Sequence, residues 1–268
     1  MSLIQALLLG LLQGATEFLP VSSSGHLVLI PWFLGWPAPG LAYDALVHWG
    51  TAVAVVGYFW REWAALLGAA WQAIRRRSLA DPQARLFALL ILGTVPGALV
   101  GWLLEDFFEG MFGRPAAASA LLLVTAAVLA LSERLSSRER GVEGLSWLDA
   151  LAVGTAQAAA ILPGLSRSGM TIAAGMGRGL RRESAARFSF LLSTPIIVGA
   201  GLLQVWDLAQ AGELMAQVPV LAVGFLSALV SGLACIHYLL RYLQRHPLYP
   251  FAVYCVGLGV VGLVVALL

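Results

Sequence analysis

Lysine is absent from this chain: all sixteen basic residues are arginine. Charge of either sign is scarce, at 11% of the 268 residues, against about 25% in soluble domains. Hydrophobic residues make up 60% of the chain and the mean hydropathy is +0.86. These shortages exclude water as the main solvent. A net charge of +2, with no basic stripe interleaved with aromatics, excludes a nucleic-acid partner. The only two cysteines, Cys235 and Cys255, lie in apolar runs without ligand spacing. They support neither a disulfide framework nor a zinc site. The apolar N-terminus lacks a basic leader and runs directly into Glu17 and a Pro-Val-Ser-Ser-Ser-Gly-His stretch. It reads as structure and not as a cleaved signal.

What is present is long apolar sequence. A hydrocarbon core of about 30 Å takes roughly 20 apolar residues in a helix. Six stretches approach that length: 43–60, 86–104, 116–132, 186–204, 218–240 and 248–268. Backbone groups in lipid must be paired within the segment, and continuous runs select helices over a barrel. Arginine placement orients them. Arg75, Arg76, Arg77 and Arg85, then Arg134, Arg138 and Arg140, then Arg178, Arg181, Arg182 and Arg187, then Arg241 and Arg245 all fall on one side. Glu105, Asp106 and Glu109, and Asp207 and Glu213, fall on the other. The positive-inside rule makes the arginine side cytoplasmic and places both termini on the opposite face.

Residues 2–36 and 147–180 do not fit this ladder. Each is a short apolar helix, a Pro/Ser/Gly break and another short helix. A re-entrant hairpin that dips into the membrane and returns satisfies the arginine pattern, with its irregular backbone surrounded by protein or a wet cavity. The two are copies. At a constant offset of 144, residues 5–25 match 149–169 at eight of twenty-one positions, including Gln13 with Gln157, Ser22 with Ser166 and Ser24-Gly25 with Ser168-Gly169. The expectation is one integral membrane domain, 1–268, with six spans and two re-entrant hairpins in an inverted repeat of about 1–132 and 147–268.

The two breaks hold the chemistry. The first contains Gln13, Glu17, Pro20, Ser22, Ser23, Ser24, Gly25 and His26. Gln13 and Glu17, four apart, share a helix face. A carboxylate at membrane depth costs about 2.5–3.5 kcal/mol and demands a cation or a proton. The second contains Pro163, Gly164, Ser166, Arg167, Ser168, Gly169 and Thr171, and Arg167 is the one arginine inside an apolar stretch. A structural ion pair with Glu17 would account for its charge. The surrounding hydroxyls and glycines point further, to a phosphate held by a planar cation and by backbone N–H groups. His26 beside three hydroxyls reads as an acid/base group. Asp44 and His48 share a face of the first span and are candidates for the same cavity, with a capping role for Asp44 equally open. Serine, histidine, arginine and carboxylate together form a phosphoryl-transfer inventory, and the setting makes the substrate's other end lipid.

At 13–26 and 163–169 the chain resembles the undecaprenyl-diphosphatase family of the bacitracin-resistance type, whose two signatures stand here unbroken. The likeness continues through Ala186-Arg-Phe-Ser-Phe-Leu-Leu-Ser193 and covers nearly the whole chain. It implies hydrolysis of a polyprenyl diphosphate to the monophosphate, recycling the lipid carrier of cell-wall synthesis. It also implies a divalent cation (Mg2+ or Ca2+), a site reached from the periplasmic face of the bacterial inner membrane, and a homodimer as a candidate assembly. By residue, it places Glu17 at the metal or base position with Gln13 beside it. Ser23 and His26 are the nucleophile candidates, and Arg167 binds the diphosphate. Ser22, Ser24, Gly164, Ser166, Ser168, Gly169 and Thr171 surround the substrate. The rival expectation is a transporter or flippase of a polyprenyl phosphate, since broken helices in inverted repeats also suit alternating access.

Overall fold

The computed structural model describes residues 1–104, 107, 110–111, 113–210 and 214–268; at positions 41, 200, 203–210 and 214–217 it describes the backbone alone. The acid-rich connections at Glu105, Asp106, Glu109 and Glu213, and the side chain of Asp207, therefore lie outside the described residues. Among the described residues the regular structure is helical: α1 (Leu3–Phe18), α2 (Ser23–Phe33), α3 (Leu41–Tyr58), α4 (Trp60–Arg76), α5 (Pro82–Leu103), α6 (Pro115–Leu135), α7 (Trp147–Ala159), α8 (Arg167–Gly177), α9 (Arg182–Gln210), α10 (Leu214–Leu243) and α11 (Tyr249–Leu267).

Local rules explain where the two broken hairpins start and break. α1 opens with a capping box in which Ser2 Oγ accepts from Gln5 N at 3.2 Å and Gln5 Oε1 accepts from Ser2 N at 2.8 Å. Exactly one repeat further on, α7 opens with the same device, Ser146 Oγ accepting from Asp149 N at 3.2 Å and Asp149 Oδ2 from Ser146 N at 2.9 Å. The breaks match as well. Ser22 caps α2 by accepting from Gly25 N at 3.2 Å, and Ser166 caps α8 by accepting from Gly169 N at 3.0 Å. The repeated Ser-x-Ser-Gly is thus an N-cap motif: an early glycine brings its N–H to the serine oxygen and satisfies an otherwise orphaned donor.

The halves interlock. α1 of the first half packs on α10 of the second, and its counterpart α7 packs on α5 of the first, while α6 and α11 pack on each other. Glycines permit the close crossings: a Cβ on Gly14 would meet Ala228 O at 2.3 Å, and one on Gly154 would meet Gly93 O at 2.2 Å. Among the described residues four helices are long and apolar enough to cross a membrane: Pro82–Leu103, Pro115–Leu135, Val218–Leu243 and Tyr249–Leu267. The expected spans at 43–60 and 186–204 are helical too, as α3 and α9. Both carry polar groups among their buried or half-buried residues, Asp44, His48 and Thr51 on α3 and Ser189, Ser193 and Thr194 on α9. One element went unseen in the sequence. α4 is amphipathic, with Trp60, Leu67, Trp71 and Ile74 exposed along one stripe and Arg61, Arg75 and Arg76 beside it.

Buried ion pairs fasten the base of the second hairpin. Asp149 accepts from Arg140 Nη2 at 2.8 Å and Arg178 Nε at 2.6 Å. Glu133, at the end of α6, accepts from Arg138, Arg182 and, at 3.0 Å, Leu248 N. Removing the acid from such a group leaves donors unpaired. Glu133→Gln is expected to cost roughly 2–3 kcal/mol, below the ~3–5 kcal/mol of a fully dry pair because the two guanidiniums are partly solvated. A thermal-unfolding series in detergent should show the apparent Tm falling by several degrees; an unchanged Tm would show the cluster to be neutral.

Candidate active site

The two breaks meet. Glu17 ends α1, Ser23 opens α2 and Arg167 opens α8, so Ser23 and Arg167 occupy equivalent first-turn positions of the two capped helices. Arg167 Nη2 donates to Glu17 Oε1 across 150 residues of sequence. Glu17 Oε2 accepts from Gln13 Nε2 at 2.8 Å and from Ser23 Oγ at 2.5 Å. His48 Nε2 stands 3.7 Å from the same oxygen. The carboxylate is nearly buried, at 5% exposure, so these donors replace the water it has lost. Phe18 and Phe190, both buried, pack edge to face at 5.2 Å and hold the end of α1 against α9.

Around this group lies a cavity of about 170 Å3. Its lining has a polar part (Glu17, Ser22, Ser23, Ser24, His48, Ser166, Arg167 and Ser168) and a largely apolar part (Gly97, Ala160, Ile161, Leu165, Ile196 and Ile197). The N-termini of α2 and α8 both contribute to the polar part. Each carries partial positive charge, and Arg167 adds a full one, so the polar part favours an anion.

The remaining sequence candidates divide into cavity and scaffold. Ser22, Ser24, Ser166 and Ser168 line the cavity. Gly164, Gly169 and Thr171 hold the breaks together behind it. Gly164 N donates to Ser22 Oγ at 3.1 Å, its carbonyl accepts from Thr125 Oγ1 at 2.9 Å, and its φ of +100° requires glycine. Gly169 N is spent on the Ser166 cap, and Thr171 Oγ1 bonds Arg167 O at 2.7 Å and Ser189 Oγ at 2.6 Å. Ser22 is itself strained, at φ +69°, a conformation that persists only where surroundings over-determine it. The cap, the Gly164 bond and a hydrogen bond from His26 Nδ1 to Ser22 O at 2.7 Å do so.

His26 departs from its expected place as the base beside Ser23. It is fully buried and lies outside the cavity lining. With Nδ1–H given to Ser22 O, the neutral ring leaves Nε2 as acceptor, and Tyr254 O–H donates to it at 2.6 Å with the two rings stacked. Both nitrogens are occupied. The short range from Ser23 in sequence was misleading, because the His26 ring is drawn to Ser22 O on one nitrogen and to Tyr254 of α11 on the other. In the structure the hydrogen-bond partner of Ser23 is Glu17. The sequence reading gave His48 only a cavity-lining role, and its proximity to Glu17 needed the fold. Gln157, also on the cavity, was visible as one half of a repeat match.

A cation held by protein groups alone needs several oxygen or nitrogen donors. Both Glu17 oxygens are engaged, one by a guanidinium, while Oε1 of its neighbour Gln13 is unpaired. Among the described residues no three His, Cys, Asp or Glu side chains cluster. This partial set fits a divalent cation only together with oxygens supplied by a substrate.

The family model described as bacitracin resistance protein BacA matches residues 6–261. An undecaprenyl-diphosphatase of Pelotomaculum thermopropionicum is 43% identical, covering 99% of this chain and 97% of its own length. One from Thermomicrobium roseum is 45% identical over 99% and 98% of the two chains. One from Syntrophotalea carbinolica is 46% identical over 97% of each. With the family model matching residues 6–261, relatives covering 97–99% of the chain, and four helices among the described residues apolar enough to span a bilayer, this multi-pass membrane protein belongs to the bacitracin resistance protein BacA family.

Proposed function

We propose that this chain hydrolyses undecaprenyl diphosphate to undecaprenyl phosphate and inorganic phosphate, with Ser23 as nucleophile, Glu17 as its base and Arg167 as the phosphate anchor. The observation that carries the assignment is the hydrogen bond from Ser23 Oγ to Glu17 Oε2 at 2.5 Å, beside Arg167. A serine hydroxyl attacks only when a base takes its proton. Here Ser23 Oγ attacks the terminal phosphorus, its proton passes to Glu17, and the bridging P–O bond breaks with its electron pair leaving on the lipid phosphate. Glu17 passes that proton to the departing lipid phosphate. It then takes a proton from water, which attacks the phosphoserine phosphorus, and returns it to Ser23 Oγ as the P–Oγ bond breaks. Arg167 and the two helix N-termini stabilise the charge on the transferring group throughout. Gln13 and Glu17 would hold a divalent cation that arrives on the diphosphate, where it neutralises phosphate charge. A carrier needs the anion site but not a serine paired with a carboxylate, so the same hydrogen bond argues against the flippase reading.

His26 is a positioning residue in this account, holding the strained Ser22 turn through its contact with Tyr254. His26→Ala is expected to lower turnover while leaving the midpoint of the pH–rate profile in place. A shifted midpoint would return His26 to the proton-transfer path.

The enzyme sits in the bacterial inner membrane with six crossings, α1–α2 and α7–α8 as re-entrant hairpins, and the site and both termini on the periplasmic side. Arginine placement and the crosswise packing of the two halves support this topology. In a background lacking Cys235 and Cys255, a cysteine at Ala38 should react with an impermeant maleimide added to spheroplasts, and one at Ser137 should not. The reverse pattern would invert the topology.

A further inference from the structure

Gln157 is buried to 3% exposure and lines the cavity, yet neither its Oε1 nor its Nε2 has a hydrogen-bond partner in the protein. The repeat explains how this arose. Gln13, its counterpart, gives its amide to Glu17 four residues on. The residue four beyond Gln157 is Ile161, so the second copy keeps the glutamine and loses its mate. A buried amide with both ends unpaired costs stability, and an apolar side chain of similar size would not. Such a group signals a ligand.

Its position says which part of the ligand. Gln157 stands beside apolar groups of the lining: the site of a Cβ on Gly97 is 3.6 Å from its Nε2 and 2.8 Å from Ile196 Cδ1. Of the other polar side chains there, Ser193 is already bonded to Phe190 O at 2.8 Å. Arg167 Nη1, buried and likewise unpaired, supplies a second free donor to the same cavity. A ligand whose reacting phosphate sits among Ser23, Glu17 and Arg167 must run its isoprenoid past Gly97, Ile161 and Ile196. The phosphate joined to the lipid then lies at the boundary, within the reach of Gln157.

We infer that Gln157 is the contact for the lipid-side phosphate, the group that becomes the product's phosphomonoester: Nε2 donates to a phosphate oxygen and Oε1 accepts from water or from a protonated phosphate. The inference rests on the diphosphatase reading above. It makes Gln157 a determinant of how tightly a lipid phosphate is held and of how readily the product leaves.

The test compares wild type, Gln157→Leu and Gln157→Glu in detergent, measuring diphosphate hydrolysis, inhibition by undecaprenyl phosphate, inhibition by inorganic phosphate, and the apparent Tm without ligand. Gln157→Leu is expected to raise both KM and the inhibition constant of undecaprenyl phosphate about tenfold, the loss of one hydrogen bond to a charged group. Inhibition by inorganic phosphate, which needs only the polar part, should stay unchanged, and the ligand-free Tm should hold or rise. Gln157→Glu, which sets a negative charge against the phosphate, should weaken both lipid ligands further. Unchanged KM and unchanged product inhibition in the leucine variant would overturn the inference. So would a fall in kcat alone, which would put Gln157 at the reacting phosphate, or a lowered Tm with unaltered ligand affinities, which would make it scaffold. Absence of hydrolysis by wild type would instead refute the underlying diphosphatase reading.

Discussion

Replacing Ser23 by alanine is expected to lower turnover of undecaprenyl diphosphate by roughly 10³–10⁶-fold, the span between losing a general base and losing a nucleophile. The protein should still fold, because Ser23 Oγ makes its one structural hydrogen bond to Glu17, which keeps Gln13 and Arg167. Ser24→Ala should cost far less. Ser22→Ala should act mainly through stability, since its hydroxyl caps α2 and bonds Gly164 N. Ser23 and Glu17 act as one unit, so Ser23→Ala with Glu17→Gln should be little worse than Ser23→Ala alone. An additive double variant, measured as initial rates in detergent, would separate the two and leave water as the attacking group.

The second large effect is expected at Arg167. Arg167→Lys keeps the charge and loses the planar fork that can hold Glu17 and a phosphate at once. One guanidinium nitrogen already bonds Glu17 while the other is free toward the cavity, a division that a single ammonium reproduces poorly. The expected loss is about 10²–10³-fold, as for removal of one donor to developing negative charge. Arg167→Ala should add instability, because Glu17 would remain buried without its cation. Near-normal turnover in the lysine variant, with a folded protein, would reduce Arg167 to a source of charge.

Much of this was legible in the sequence. Helical character followed from apolar length, and the breaks at Ser22 and Ser166 from serine and glycine inside apolar runs. The caps at Ser2 and Ser146 obey the same offset of 144, but they lie outside the matched stretch and emerged only with the helix starts. The meeting of Glu17 and Arg167 followed from the cost of leaving either charge alone in an apolar setting. What stayed hidden depended on partners far away in the chain. Tyr254, 228 residues from His26, takes up the Nε2 of that histidine. α3 brings His48 to Glu17, and nothing in local spacing encodes that distance. Gln157 was legible as a repeat match, but its lack of a partner depends on what packs around it. Gly164 and Gly169 read as phosphate cradles because glycine N–H groups bind anions, whereas here those donors are consumed by Ser22 and Ser166.

The central claim is that two breaks from two halves form one phosphoryl-transfer site and not a carrier's anion site. Detergent removes the sidedness on which transport depends, so phosphate release from undecaprenyl diphosphate by the purified, solubilised protein tests the claim most directly. Wild type is expected to release one phosphate per lipid steadily, with undecaprenyl phosphate accumulating in step, and Ser23→Ala to lose nearly all of this release. Binding of the lipid without phosphate release, or equal release by wild type and Ser23→Ala, would contradict it.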